Sequence, residues 1–146
     1  MTGKKKAKSN SRKSRTQARL MIIQALYQMQ LTDHDIKELL AQCRERDEYK
    51  KIDKTYFTQA IRAIYKHRAE YSTSIEANLD RPISQIDPIE MGILLLGFYE
   101  LEMKREIDIA VIINEAVNLT KRFGSIDGHK YINAVLDRAA KTVRAA

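Results

Sequence analysis

Three features of the sequence predict an all-α fold. Apolar residues recur at three- and four-residue steps along most of the chain, and no stretch alternates with the two-residue period of a strand. With only 5 Gly and 2 Pro, the chain also lacks the turn residues that a many-stranded fold requires. At 146 residues and 44% hydrophobic side chains it is of single-domain size and can fill a sizeable core. The lone cysteine, Cys43, excludes an internal disulfide framework and suits a reducing compartment.

The elements follow in order. Residues 1–14 (MTGKKKAKSNSRKS) are rich in Lys and Ser with no large apolar residue after Met1, and are expected to be a disordered tail when free. From Ser14 the pattern turns helical: Ala18, Met21, Ile22, Ala25, Leu26 and Met29 form one apolar face. A short helix is predicted from Asp35 to Cys43, with Ile36, Leu39, Leu40 and Cys43 inward. A longer one starts near Asp53, a good N-cap, and carries Phe57, Ala60, Ile61, Ile64, Arg68, Tyr71 and Ile75 on one stripe. Proline disfavours helix at the residue before it, so Arg81-Pro82 ends that run. Asp87-Pro88-Ile89-Glu90 then reads as N-cap, N1 proline and a capping-box acid, opening a helix lined by Met91, Leu94, Leu95, Phe98 and Leu101. Asp108 is placed as the next N-cap, followed by Val111, Ile112, Glu115, Ala116 and Leu119, with Gly124 as the stop. Asp127 is expected to cap the last helix, where Ile132, Val135, Leu136, Ala139 and Val143 repeat correctly. The prediction is six or seven helices in two small bundles divided near Pro82 and packed as one domain.

Charge is distributed unevenly. Residues 1–19 hold Lys4, Lys5, Lys6, Lys8, Arg12, Lys13, Arg15 and Arg19 and no acid, whereas the remaining 127 residues carry 18 basic and 19 acidic side chains. A cationic arm on a near-neutral body points to nucleic acid or an anionic surface, with a solubilising tail as the plain alternative. A membrane span is not expected. The longest uncharged run, Leu20–Thr32, includes Gln24, Gln28 and Gln30, and Met91–Tyr99 is far short of the roughly 20 residues that a spanning helix needs. No signal-peptide pattern is present either, so a cytoplasmic protein is expected.

Nothing in the sequence supports catalysis. His34, His67 and His129 lie far apart without metal-ligand spacing, and there is no Gly-rich phosphate loop. No catalytic residue, metal or cofactor is therefore assigned. Asp127 and His129 could form an acid–base pair, but a helix start with an N-cap Asp is the favoured reading of both. Binding features are stronger. Arg12, Lys13, Arg15 and Arg19 run into the first helix, and Arg15 and Arg19, four apart, share a face where guanidiniums can grip phosphates or stack on bases. Lys121, Arg122 and Phe123 end one helix, and Lys130 and Tyr131 begin the next. Such basic–aromatic interleaving suits single-stranded RNA, although spacing alone slightly favours Phe123 and Tyr131 as core residues and Lys121 and Arg122 as dipole partners.

The segments ARLMIIQALYQMQ (Ala18–Gln30), GFYEL (Gly97–Leu101) and INEAVNLTKRFGSIDGHKYINAVLDRAAK (Ile113–Lys141) together resemble the NusB family of transcription antitermination factors. The resemblance runs from about Arg15 to Arg144, so residues 15–146 are expected to form a NusB-like helical domain; residues 44–85 match by helix pattern alone. It implies two three-helix subdomains, no enzymatic activity, and pairing with NusE, a small-subunit ribosomal protein. It further implies binding of boxA RNA in nascent transcripts, notably ribosomal ones, within an RNA polymerase complex containing other Nus factors. The family's arginine-rich motif falls on Arg15 and Arg19, with Thr16 and Gln17 where members carry arginines and Arg12 and Lys13 close by. Its second RNA-contacting region falls on Lys121, Phe123, Asp127, Lys130 and Tyr131, and its NusE-facing surface on Tyr27 and Glu90. Asp127 has three readings: helix cap, contact to a base edge, or a charge that limits RNA affinity. Ala134 stands at a usual glycine and Leu95 at a common arginine, both expected to be packing adjustments. Some members form homodimers, and the same helix faces can serve a second copy. Two other readings are an accessory module like that preceding some RNA cytosine methyltransferases, whose catalytic domain this chain has no room for, and a purely protein-binding scaffold.

Overall fold

Six α-helices and two 3-10 turns account for the regular structure, with no strand among the described residues. The computed structural model describes residues 2–32 and 34–145, with side chains from Arg12 onward. The helices are α1 (Thr2–Leu31), α2 (Ile36–Arg44), α3 (Lys54–Ala77), α4 (Pro88–Met103), α5 (Ile109–Phe123) and α6 (Gly128–Val143). Helical backbone extends to Thr2, ahead of the expected start at Ser14. The Lys, Ala and Arg residues there are good helix formers, and no proline interrupts them. Side chains of Lys4 to Lys8, the outer cations of the arm, lie outside the described residues.

The chain divides into two compact units, Met1–Arg62 and Ala63–Ala146. The division falls within α3, upstream of Pro82. In the first unit α1, α2 and the 3-10 turn Asp47–Lys51 pack together. Ala18, Met21, Ile22, Ala25, Leu26 and Met29 are all buried, as are Leu39, Leu40 and Cys43 on α2. The Asp53 carboxylate caps α3 by accepting from the Tyr56 N–H at 3.1 Å, and the Asp53 N–H donates to the Ser14 carbonyl at 3.2 Å. One residue thus starts α3 and fastens it to α1.

In the second unit α4, α5 and α6 pack on one another. Asp87 caps α4 through the Glu90 N–H at 2.8 Å, with Pro88 at the first helical position. Instead of one apolar stripe, α4 is buried all round from Gly92 to Leu101. A helix apolar on every side belongs at the centre of its unit. Gly97 allows α6 to approach closely, since a Cβ there would lie 2.8 Å from Leu136 Cδ2. Leu95 is buried, so a packing adjustment suits it. Ala134 is exposed, and packing does not explain that residue. Arg68, predicted on the apolar stripe of α3, is exposed and stacks 4.7 Å from the Tyr65 ring centroid. Val111 of α5 is 45% exposed.

Two predicted caps are absent as side-chain bonds. Asp108 and Asp127 occupy N-cap positions, yet neither carboxylate accepts a capping bond. The first turn of α5 closes through backbone instead, with Asp108 O accepting from Val111 N and Ile112 N. Asp127 has φ −103° and ψ 4°, outside the extended geometry that swings an N-cap side chain over the helix end. Arg144, just past α6, donates to four carbonyls: Leu101 at 2.8 Å, Ile107 at 2.7 Å, Glu100 at 3.1 Å and Lys104 at 2.9 Å. It thereby caps the C-terminus of α4 and closes the link to α5.

Candidate nucleic-acid interface

The root of the cationic arm lies on α1. Arg12 and Lys13 are exposed, while Arg15 is half-buried and paired with Asp53 at 3.3 Å. The shared face predicted for Arg15 and Arg19 is present, and it turns inward. Their guanidinium carbons lie 4.4 and 5.8 Å from the centroid of the Tyr56 ring, itself buried. Arg19 is only 4% exposed. Burying a guanidinium is costly without compensating contacts, and aromatic stacking is one that Arg, unlike Lys, makes well. Arg19 therefore anchors α1 to α3 within its unit. Arg12 and Lys13 are the exposed described cations of this segment.

The second basic group surrounds the link between α5 and α6. Lys121 and Arg122 are exposed in the last turn of α5, where cations complement the carbonyl end of the helix. Phe123 is 38% exposed, and the Arg122 guanidinium carbon lies 5.0 Å from its ring centroid. A ring so open to solvent is not a core residue. Ile126, at the tip, is 92% exposed. Across the link Lys130 is exposed, and its Nζ stands 4.0 Å from the Asp127 carboxylate. His129 Nδ1 is buried with no hydrogen-bond partner among the described residues, so Asp127 and His129 form no acid–base pair. Tyr131 is half-buried, and Arg81, from the link between α3 and α4, places its guanidinium carbon 3.9 Å from the ring centroid. Burial pushes the Tyr131 phenol above its ordinary range; Asp80 and Glu90 add to that, while Arg81 and Arg138 oppose it.

Glu90 holds this link from beneath. It is 7% exposed, and its Oε1 accepts from Ser125 Oγ at 2.9 Å. Gly128 is required above it. A Cβ at that position would fall within contact distance of Glu90 Oε1 and lie 2.7 Å from Ser125 Oγ. The carboxylate faces the turn, not solvent. Tyr27, by contrast, is 39% exposed on α1, and Leu31, one helical turn on, is 57% exposed. Cys43 is buried, which pushes its thiol up against the opposing pull of Arg46 and makes it a poor nucleophile. Among the described residues no His, Cys, Asp and Glu cluster could hold a metal ion, and no helix is long and apolar enough to cross a membrane.

Residues 16–141 match the model of the NusB family. The chain belongs to the NusB family. It is 39% identical over 138 residues to the transcription antitermination protein NusB of Pseudomonas syringae pv. tomato, covering 94% of this chain and 83% of that one. It is 41% identical over 128 residues to the protein of the same name from Nitrosospira multiformis, covering 88% and 81%. The solved structure of T. maritima NusB superposes with a TM-score of 0.76 at 28% identity, covering 86% of this chain and 89% of that one. Membership in NusB makes the chain a transcription antitermination factor and not an enzyme.

The second basic group lies within the NusB match, which starts at Thr16; of the first group only Arg19 falls inside it, with Arg12, Lys13 and Arg15 just before. Arg81 was not singled out from sequence. Its neighbour Pro82 marked a helix break, and no spacing rule links position 81 to position 131.

Proposed function

We propose that this NusB-family chain acts with NusE to bind boxA RNA in nascent transcripts, notably ribosomal ones. Within a cytoplasmic RNA polymerase complex that includes other Nus factors, it suppresses premature termination. The observation that carries this reading is the basic–aromatic surface at the α5–α6 link. Phe123, 38% exposed, stands between Lys121, Arg122 and the exposed Lys130. Cations there hold phosphates, and an exposed ring takes an unstacked base. Asp127 lies in the same surface beside Lys130 and tempers its charge. The arm root adds Arg12 and Lys13 directly; Arg15 contributes through its half-exposed guanidinium, and Arg19 by fixing the helix that presents them. Tyr27 and Leu31, four apart on α1, supply the exposed apolar face for NusE or a second copy. Glu90, also read as NusE-facing, is buried and acts by holding the α5–α6 turn above it through Ser125.

A salt titration of binding to boxA and scrambled RNA, with and without NusE, tests the reading. Each phosphate contact adds about −0.7 to the log–log salt slope for a single strand. The expected result is a steep slope for both RNAs and tighter binding of boxA when NusE is present. Equal affinity for the two RNAs with NusE present refutes it and favours a protein-binding scaffold.

A further inference from the structure

Arg81 reaches the α5–α6 surface from a distant part of the sequence, and its position is built. Pro82 restricts its backbone to extended conformations. The segment before it is fastened to α6 by Arg138, whose Nε and Nη2 donate to the Asn78 carbonyl at 3.1 and 2.8 Å. Arg81 Nε lies 3.4 Å from Asp80 Oδ1, and the guanidinium carbon stands 3.9 Å from the Tyr131 centroid. At that distance the cation covers one face of the ring, so a base approaching that face meets the guanidinium first. The Arg81 side chain remains 45% exposed. A guanidinium is planar, weakly hydrated and able to stack on both of its faces, which an ammonium cannot do.

We propose that Arg81 is a base-stacking residue of the RNA surface: packed on Tyr131 on one side, it offers its other face to an unstacked nucleobase. This rests on the RNA reading of the α5–α6 link. Stacking of this kind is sequence-tolerant, because every base has a π face. Tyr131 then acts as a positioning residue for the guanidinium, with the Asp80 carboxylate 3.4 Å from its Nε as a second contact.

The test uses the full chain with NusE and boxA RNA carrying 2-aminopurine at successive positions, whose emission is quenched by stacking. Loss of one stacked base corresponds to roughly 5- to 150-fold weaker binding, so Arg81→Ala and Arg81→Lys should both weaken binding within that range. Arg81→Lys keeps the charge and the aliphatic stem over Tyr131. It should therefore preserve the fold and the salt slope while raising 2-aminopurine emission at one position. Arg81→Lys with unchanged affinity and unchanged emission overturns the inference, as does wild-type affinity in Arg81→Ala. Wild-type chain that binds no RNA overturns the RNA reading itself, and this inference with it.

Discussion

Gly128→Ala tests the most constrained point of the candidate site. The added methyl would meet Glu90 Oε1, lie 2.7 Å from Ser125 Oγ and sit 3.2 Å from Thr120 Cγ2. The carboxylate can yield only by giving up its bond from Ser125, because it is 7% exposed and has little room. A hydrogen bond to a charged group contributes about 1.5–3 kcal/mol. Replacing glycine by alanine at a helix start returns up to about 1 kcal/mol of propensity and chain entropy. With the full gain of about 1 kcal/mol returned, the net cost is about 0.5–2 kcal/mol. For a chain of this size each kcal/mol lowers Tm by roughly 2–4 °C. Urea unfolding of wild type, Gly128→Ala, Glu90→Ala and the double variant measures it. With Glu90 shortened, the methyl has space, so the two changes together should cost at least about 0.5 kcal/mol less than their sum. Additive costs, or a Gly128→Ala chain as stable as wild type, refute the view that Glu90 and Gly128 form one unit.

Phe123→Ala should change stability by no more than about 0.5 kcal/mol, because the ring is exposed, while weakening RNA binding by about 1–3 kcal/mol; paired denaturation and binding curves check both. Arg19→Ala should do the reverse, lowering the urea midpoint while barely changing the salt slope, because its guanidinium lies against Tyr56; Arg12→Ala with Lys13→Ala should flatten the slope by roughly one unit. Burial, with Glu102, Tyr99 and Glu70 adding to it, pushes the Tyr71 phenol from 10.0 to about 12. The folded state thus holds the proton that the unfolded chain releases near pH 10, so this contribution is intact below that pH and is lost as pH rises toward 12. The loss is about 1–3 kcal/mol, and a chain whose stability is flat over that interval contradicts it. No described group hydrogen-bonds Tyr71 Oη, so Tyr71→Phe should be neutral or slightly stabilising and should remove the pH step.

Most of the fold is legible in the sequence because helical periodicity and N-cap chemistry are local. Asp53 and Asp87 act as read, each carboxylate accepting from the amide three residues on, whereas Asp108, equally extended, makes no such bond. Asp127 takes the N-cap position as read, but its φ of −103° and ψ of 4° keep the carboxylate from capping, and helical periodicity does not encode those angles. Spacing put Arg15 and Arg19 on one face correctly, but whether that face meets solvent or Tyr56 is decided by tertiary packing. The basic–aromatic groups were visible as composition. That Phe123 is exposed, that Glu90 faces the turn and that Arg81 joins Tyr131 are facts about non-neighbours, and no periodicity encodes them.

The Arg144 contacts bear on the order in which the second unit acquires its structure. Four carbonyls at the end of α4 and in its link to α5 depend on a side chain 37 to 44 residues downstream. A hairpin of α4 and α5 alone would leave Leu101 O and Ile107 O without the Arg144 donor, whereas Glu100 O and Lys104 O keep their backbone partners, and it would expose the apolar flank that α6 covers. Helix accretion one element at a time therefore gains little, and closure rewards the chain only when α6 arrives. The expected outcome is that the unit folds in a single concerted step, and hydrogen exchange should then show amides of α4 and α6 opening together and not in sequence.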